Sequence, residues 1–243
     1  MNYHSINEVI RDLEENPIAG DKPLYHPIPF SEFDHLETSS NRSEFLRKWE
    51  IINNFLESIY GKNFSQLQIL DIGANAGFFT FTLAKKGAVV EAFEPNPRYS
   101  AIGEFLAKEK KLNVIWHRSP YERSLIQAKN FNVSLMLSTF QWMAEGGEKM
   151  HEAKINLREI SEMSDTLIFE LGFNKGESCI KTKKLNHYSL LFSLLKQNTV
   201  YTHFKLLGKT QLWVKGKRYI IACSKAKKIG DNFFVSLLRK IYV

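Results

Sequence analysis

Residues 67–100 read LQILDIGANAGFFTFTLAKKGAVVEAFEPNPRYS, and few folds can hold such a run. An apolar stretch ends at Asp71, and a turn with glycine at 73 and 77 follows. A helical stretch comes next, and then a second apolar stretch that ends at Glu94. Strand, tight turn, helix and strand make a crossover unit, which is right-handed in nearly all proteins and lays its two strands parallel in one sheet. The rhythm continues along the chain. Apolar runs at 67–72, 89–93, 113–117, 131–138 and 166–171 alternate with helical stretches near 77–87, 97–111, 121–129 and 148–163. After residue 171 the pattern changes to a helix around 185–197 and two runs, VYTHFKLLG and KRYIIACSK, spaced to pair antiparallel. The fold class this predicts is α/β: a Rossmann-like, mostly parallel sheet of seven strands with an antiparallel last hairpin. At 243 residues and 44% hydrophobic, the chain can bury one sizeable core.

Before the first strand, residues 1–65 form a helical extension. KPLYHPIPF is a proline-punctuated extended stretch between two helical patterns. The second pattern, NRSEFLRKWEIINNFLESIYGK, spaces Phe45, Trp49, Ile52, Phe55, Leu56 and Ile59 along one helix face. Ser40 or Asn41 caps its start and Gly61 closes it. The chain therefore divides into the extension at 1–65, a core domain at 66–225, and a basic amphipathic tail at 226–243.

Two cofactor classes use a unit of this kind. A dinucleotide turn is G-x-G-x-x-G, whose glycines let backbone approach a pyrophosphate. Here Asn75 holds the second glycine position and Phe78 the third. Asp71, at the strand end just before the turn, would repel a pyrophosphate but suits an ammonium group. Glu94 ends the next strand, 21 residues after Gly73, where a carboxylate can accept both hydroxyls of a ribose. These features select S-adenosyl-L-methionine over a dinucleotide. In an open α/β sheet the ligand lies beyond the carboxyl ends of the strands. Ser119 and Glu122, after the third strand, are thus candidates for the adenine side, and Ser138, ending the fourth, for the sulfur side.

The segment ILDIGANAGFF with its strand-end acids resembles motif I of class I methyltransferases. By that resemblance Gly73 and Gly77 make the tight turn, Ala74, Phe78 and Pro95 flank the cofactor, and Asn75 shapes the loop and hydrogen-bonds it. GFFTFTLAKKGAVVEAFEPNP also looks like methyltransferases of surface-polysaccharide biosynthesis. The layout LSTFQWM followed by LIFELG resembles the methyltransferase domain of O-antigen chain terminators, which methylate a sugar or a terminal phosphate. The likeness covers roughly residues 41–225, and the paired histidines of that group are replaced here by Gln141 and Trp142. Wobble-uridine tRNA methyltransferases and RNA-end phosphate methyltransferases share the layout, which makes RNA the alternative acceptor. A non-catalytic module that binds S-adenosyl-L-methionine is the rival from another class.

On the acceptor side, Gln141 could orient an oxygen and Trp142 could offer a stacking wall or simply cap the core. Glu170 ends the fifth strand as a possible acceptor-binding carboxylate, and Arg47 on the N-terminal helix is a possible anion contact. His117, His151 and His187 have no partner motif, and no acidic or histidine cluster has the spacing of a divalent metal site. From Lys175 onward 15 Lys and Arg face only Glu177 and Asp231, a balance of +13, while the preceding residues balance at −6. Such a charge dipole suggests an anionic partner. The tail KAKKIGDNFFVSLLRKIYV places Phe233, Phe234, Leu237, Leu238 and Ile241 on one face beside five cations. It could pack on the protein, or touch an anionic inner-membrane face where lipid-linked glycans are built. Cys179 and Cys223 form no disulfide framework, the N-terminus is not signal-like, and no apolar run is long enough to cross a bilayer, so a cytoplasmic setting is expected.

Overall fold

Alternation along the strands decides the layering, because successive side chains leave a sheet on opposite faces. In β1 (Gln68–Ile72), Leu70 and Ile72 point one way while Ile69 and Asp71 point the other. Apolar residues occupy both parities, so both faces must be covered. The computed structural model describes residues 2–128, 130–172, 180, 187–211 and 218–226. Seven strands form one sheet in the order β3-β2-β1-β4-β5-β7-β6. The further strands are β2 (Val89–Phe93), β3 (Val114–His117), β4 (Phe131–Leu137), β5 (Ser164–Glu170), β6 (His203–Thr210) and β7 (Arg218–Ser224). The first five run parallel, and β7 is antiparallel to both β5 and β6. This is the mostly parallel α/β sheet with an antiparallel last hairpin that the apolar runs predict. The tail at 227–243, Cys179 and the stretch 212–217 lie outside the described residues. No helix among those described is long and apolar enough to cross a membrane.

One face of the sheet buries Leu70, Phe93, Met136, Phe169 and Ile221 against α6 (Met150–Met163) and α7 (His187–Asn198). The other buries Ile69, Val90, Leu135, Ile168 and Ala222 against α2 (Arg42–Tyr60) and α3 (Phe78–Lys85). Asn41 starts α2, its side chain accepting from the Glu44 amide at 3.2 Å, and Gly61 ends it at φ 79. The extension before α2, including α1 (Ile6–Glu15), lays Leu13, Leu24, Phe30 and Phe33 over Phe81 of α3 and over α4 (Pro97–Glu109). Asn96 caps α4 by accepting from the Arg98 and Tyr99 amides.

The expected helix at 121–129 does not form. A single 3-10 turn, Arg123–Leu125, stands in its place. The cause lies on β2, where Glu91 is buried and faces this crossover. Its carboxylate accepts the backbone amides of Gln127 at 3.1 Å and Ala128 at 2.7 Å, and contacts His117 Nε2 at 3.2 Å. Amides held by a side chain are withdrawn from a helical ladder. Removing that carboxylate strands two part-buried backbone amides, each costing about 1–3 kcal/mol. Glu91→Ala should therefore lower unfolding stability by roughly 3 kcal/mol, read as a lower urea midpoint at unchanged slope. An unchanged midpoint would show that the crossover does not depend on Glu91.

Candidate active site

The five parallel strands all end on one edge, at Ile72, Phe93, His117, Leu137 and Glu170. There β6 finishes at Thr210 and β7 begins at Arg218, a register pair. Two neighbouring regions of this edge hold most of the candidate residues.

The first is the turn after β1. Gly73 has φ 79, and a Cβ there would lie 2.3 Å from Thr139 Oγ1. Gly77 has φ 92, and its Cβ would lie 2.4 Å from the Phe81 ring. Both positions need glycine for backbone conformation and for space. Asn75 between them is also left-handed, at φ 54. The Gly73 and Ala74 amides donate to the Phe93 carbonyl at 2.9 and 3.0 Å. Glu94 accepts from the Asn75 and Asn96 amides, each at 2.8 Å. Asp71, buried on the α3 face, accepts from Thr80 Oγ1 at 2.6 Å. Burial pushes the Asp71 carboxyl up to about 6, with the charge of Glu94 adding to the rise and the Thr80 hydroxyl opposing it. Burial also raises Glu94, against the two backbone amides. Two crowded carboxylates of this kind are relieved by a cation or by hydroxyl donors. Asn75 Oδ1 is buried without a partner among the described residues, as is Ser119 Oγ, two residues beyond β3. Orphaned polar atoms at a bare-backbone turn fit a polar ligand laid against it. Ala74 and Phe78 are buried beside the turn, while Pro95 is exposed. Glu122 lies on the surface, where Ser124 Oγ donates to it.

The second region lies where β4, β5 and β7 end. Ser138 is left-handed at φ 58, and its amide donates to the Glu170 carbonyl at 2.7 Å. Its hydroxyl donates to the Glu170 carboxylate and accepts from Arg218 Nη1 at 2.9 Å. Lys48 Nζ reaches Glu170 at 2.7 Å, and Thr210 Oγ1 donates to it at 3.1 Å. Burial alone would raise Glu170, but the Lys48 and Arg218 charges outweigh it and hold the carboxyl below its ordinary range.

The expected acceptor contacts divide accordingly. Glu170 is fully buried and ion-paired, so it does not stand open as a carboxylate for an acceptor. Gln141, on the short α5 (Phe140–Met143), is buried with both ends of its amide on backbone. It donates to the Ser138 carbonyl at 2.6 Å and accepts from the Gly172 amide at 3.2 Å. It ties two loops together. Arg47 points to solvent beside Glu44, and the inward cation of α2 is its neighbour Lys48. Trp142, by contrast, is 61% exposed and does not cap the core. His117 is stacked on Phe93 at 4.3 Å, His151 is exposed, and the side chain of His187 lies outside the described residues. Among the described residues no three His, Cys, Asp or Glu side chains gather as a metal cage.

Sequence reasoning missed Lys48, Arg218 and His26. Lys48 had a signal: it falls on the apolar stripe of α2, three residues after Phe45 and four before Ile52, where a solvated lysine has no place.

No protein-family model and no curated protein matches the chain. Solved structures do. WbdD, described as a bifunctional kinase-methyltransferase, superposes with a TM-score of 0.69 at 18% identity, over 89% of this chain and 46% of its own. The N-terminal domain of EvdMO1, solved with SAH and D-fucose, gives 0.57 at 14% identity over 91% and 97%. The T. thermophilus 16S rRNA N2 G1207 methyltransferase RsmC, with AdoMet and guanosine, gives 0.51 at 17% over 76% and 43%. The chain spans about half the length of WbdD. It has the fold of the class I methyltransferases, as its glycine-turn segment led us to expect.

Proposed function

We propose that the chain is an S-adenosyl-L-methionine-dependent methyltransferase that methylates an oxygen of a carbohydrate or glycan-phosphate acceptor. One observation carries the cofactor assignment. Two buried carboxylates, Asp71 and Glu94, end adjacent parallel strands around a turn whose residues 73, 75 and 77 are all left-handed. Asp71 would hold the ammonium group, Glu94 the ribose hydroxyls, and Asn75 Oδ1 and Ser119 Oγ the remaining polar edges. When bound, the cofactor supplies a methyl group already activated on a sulfonium. The chain's own part is to bind, to keep water out and to aim the acceptor. Trp142 offers an exposed aromatic face on the acceptor side, suited to the apolar face of a sugar ring. The glycan reading is supported by likeness to the EvdMO1 domain, solved with D-fucose, over about nine-tenths of this chain. RNA is the second reading, favoured by the +13 balance of the C-terminal third and by the likeness to RsmC. Lipid-linked glycans at an anionic membrane face extend the first reading through the basic tail.

Methyl transfer from radiolabelled S-adenosyl-L-methionine to cell-envelope glycans and to total tRNA separates the two. Label should enter glycans and should persist under exhaustive chelation, because a sulfonium needs no Lewis acid to leave. Robust labelling of tRNA alone would overturn the glycan assignment, and binding without transfer to either would favour a non-catalytic module.

A further inference from the structure

Residues before α2 place one more titratable group beside the acceptor region. His26, in the extended stretch over α2, stacks on Phe45 at 4.1 Å and 28°, and its ring lies 4.3 Å from that of Tyr25. Phe45 in turn meets Phe78, the first residue of α3 after the glycine turn, at 4.8 Å. His26 also feels the charges of Lys48 on α2 and Arg218 on β7, and Arg218 holds Ser138 at the end of β4. The ring is thus linked through Phe45 to the residue after the glycine turn, and by charge to the cations that surround Glu170. Its Nδ1 lies 3.2 Å from Ser40 Oγ, and Nε2 has no hydrogen-bond partner among the described residues. The imidazole is half-buried between the Tyr25 and Phe45 rings.

We propose that His26 is the general base of the reaction, with Nδ1–H donating to Ser40 Oγ and the Nε2 lone pair facing the acceptor. This rests on the methyltransferase reading and narrows it. A phosphate oxygen is already anionic and needs no base, whereas a neutral hydroxyl does. The acceptor is therefore a sugar hydroxyl. Its proton passes to Nε2 as its oxygen takes the methyl group. The electron pair of the methyl–sulfur bond stays on sulfur, and the imidazolium then releases the proton to solvent. The groups facing the ring from neighbouring elements are Lys48, Arg218 and, behind Lys48, Glu170 of β5. Burial first, then the two cations, holds the imidazole well below its ordinary value, so it enters the reaction neutral.

The test begins with calorimetry. If the wild-type protein binds no S-adenosyl-L-methionine, the function proposed above fails and this inference falls with it. Given binding, nitrogen NMR of histidine-labelled protein reads His26 directly, and a His26→Gln variant assigns its resonance. The expected result is an Nδ1–H tautomer at neutral pH whose Nε2 shift differs between the complexes with S-adenosyl-L-methionine and its demethylated product. The opposite tautomer, or identical shifts in both complexes, would overturn the assignment, and this arm needs no acceptor. Against a labelled glycan fraction, His26→Gln should slow transfer by about 100-fold while cofactor affinity stays within about twofold. His26→Gly should regain transfer with added imidazole, which a structural ring would not allow. Transfer by His26→Gln at the wild-type rate would also overturn the proposal.

Discussion

Lys48→Ala should lower the thermal midpoint by about 10 °C, since removing one member of a buried ion pair costs roughly 3–5 kcal/mol and each kcal/mol moves a chain of this size by about 2–4 °C. Lys48 and Glu170 are both essentially inaccessible and lie 2.7 Å apart. Truncating the lysine leaves a carboxylate in the interior with Arg218 as its remaining cation. The cost comes from that stranded charge rather than from the lost contact itself. A second change separates the two. Adding Glu170→Gln to Lys48→Ala removes the charge while keeping an acceptor for Thr210 and Ser138, so the double variant should melt above the single one. Scanning calorimetry of the three proteins gives the comparison. A single variant within about 1 kcal/mol of wild type would mean that water reaches Glu170 and screens it.

Asp71→Ala should weaken S-adenosyl-L-methionine at least tenfold, because a charge-assisted hydrogen bond is worth about 1.5–3 kcal/mol. Wild-type affinity should carry a pH signature of its own. The Asp71 carboxyl is held near 6, above its ordinary 3.8. Below about 6 it is protonated and offers no charge to an ammonium, so affinity should fall as pH drops through that value. The effect on the free protein has the opposite sign. A carboxyl raised on folding favours the folded state while protonated, and this contribution fades as pH rises from about 4 to about 6. Cofactor binding should therefore stabilise the protein little at about pH 5 and most above about pH 7. Thermal shifts across this range in wild type and Asp71→Asn provide the measurement. A pH-independent shift in wild type would remove Asp71 from the ammonium site.

What could be read from the sequence was local. The glycine turn, its flanking acids and the strand runs each lie within a few residues, and the parity of Ile69 and Asp71 against Leu70 and Ile72 already places Asp71 with α3. The second region, around Glu170, was hidden because it is assembled across distance. Lys48 and Glu170 are 122 residues apart, and Arg218 arrives from a strand laid antiparallel beside β5. YERSLIQAK has helical composition, and only the buried Glu91 shows why its amides are taken elsewhere. The backbone bonds of Gln141 were hidden for a related reason. A polar residue at a strand end looks available, yet its amide ties the β4 end to Gly172.

The position of β7 between β5 and β6 has a consequence for the order in which the molecule can be made. As the chain is synthesised, β6 emerges before the strand that joins it to the sheet. Until residues 218–224 follow, β6 has no strand to pair with, and Ser138 and Glu170 lack Arg218. A ribosome-bound chain halted before residue 218 would hold its glycine turn intact beside an unfinished Glu170 cluster. Competence to receive a methyl donor would then precede competence to use it, and the last strand to appear would close the interval.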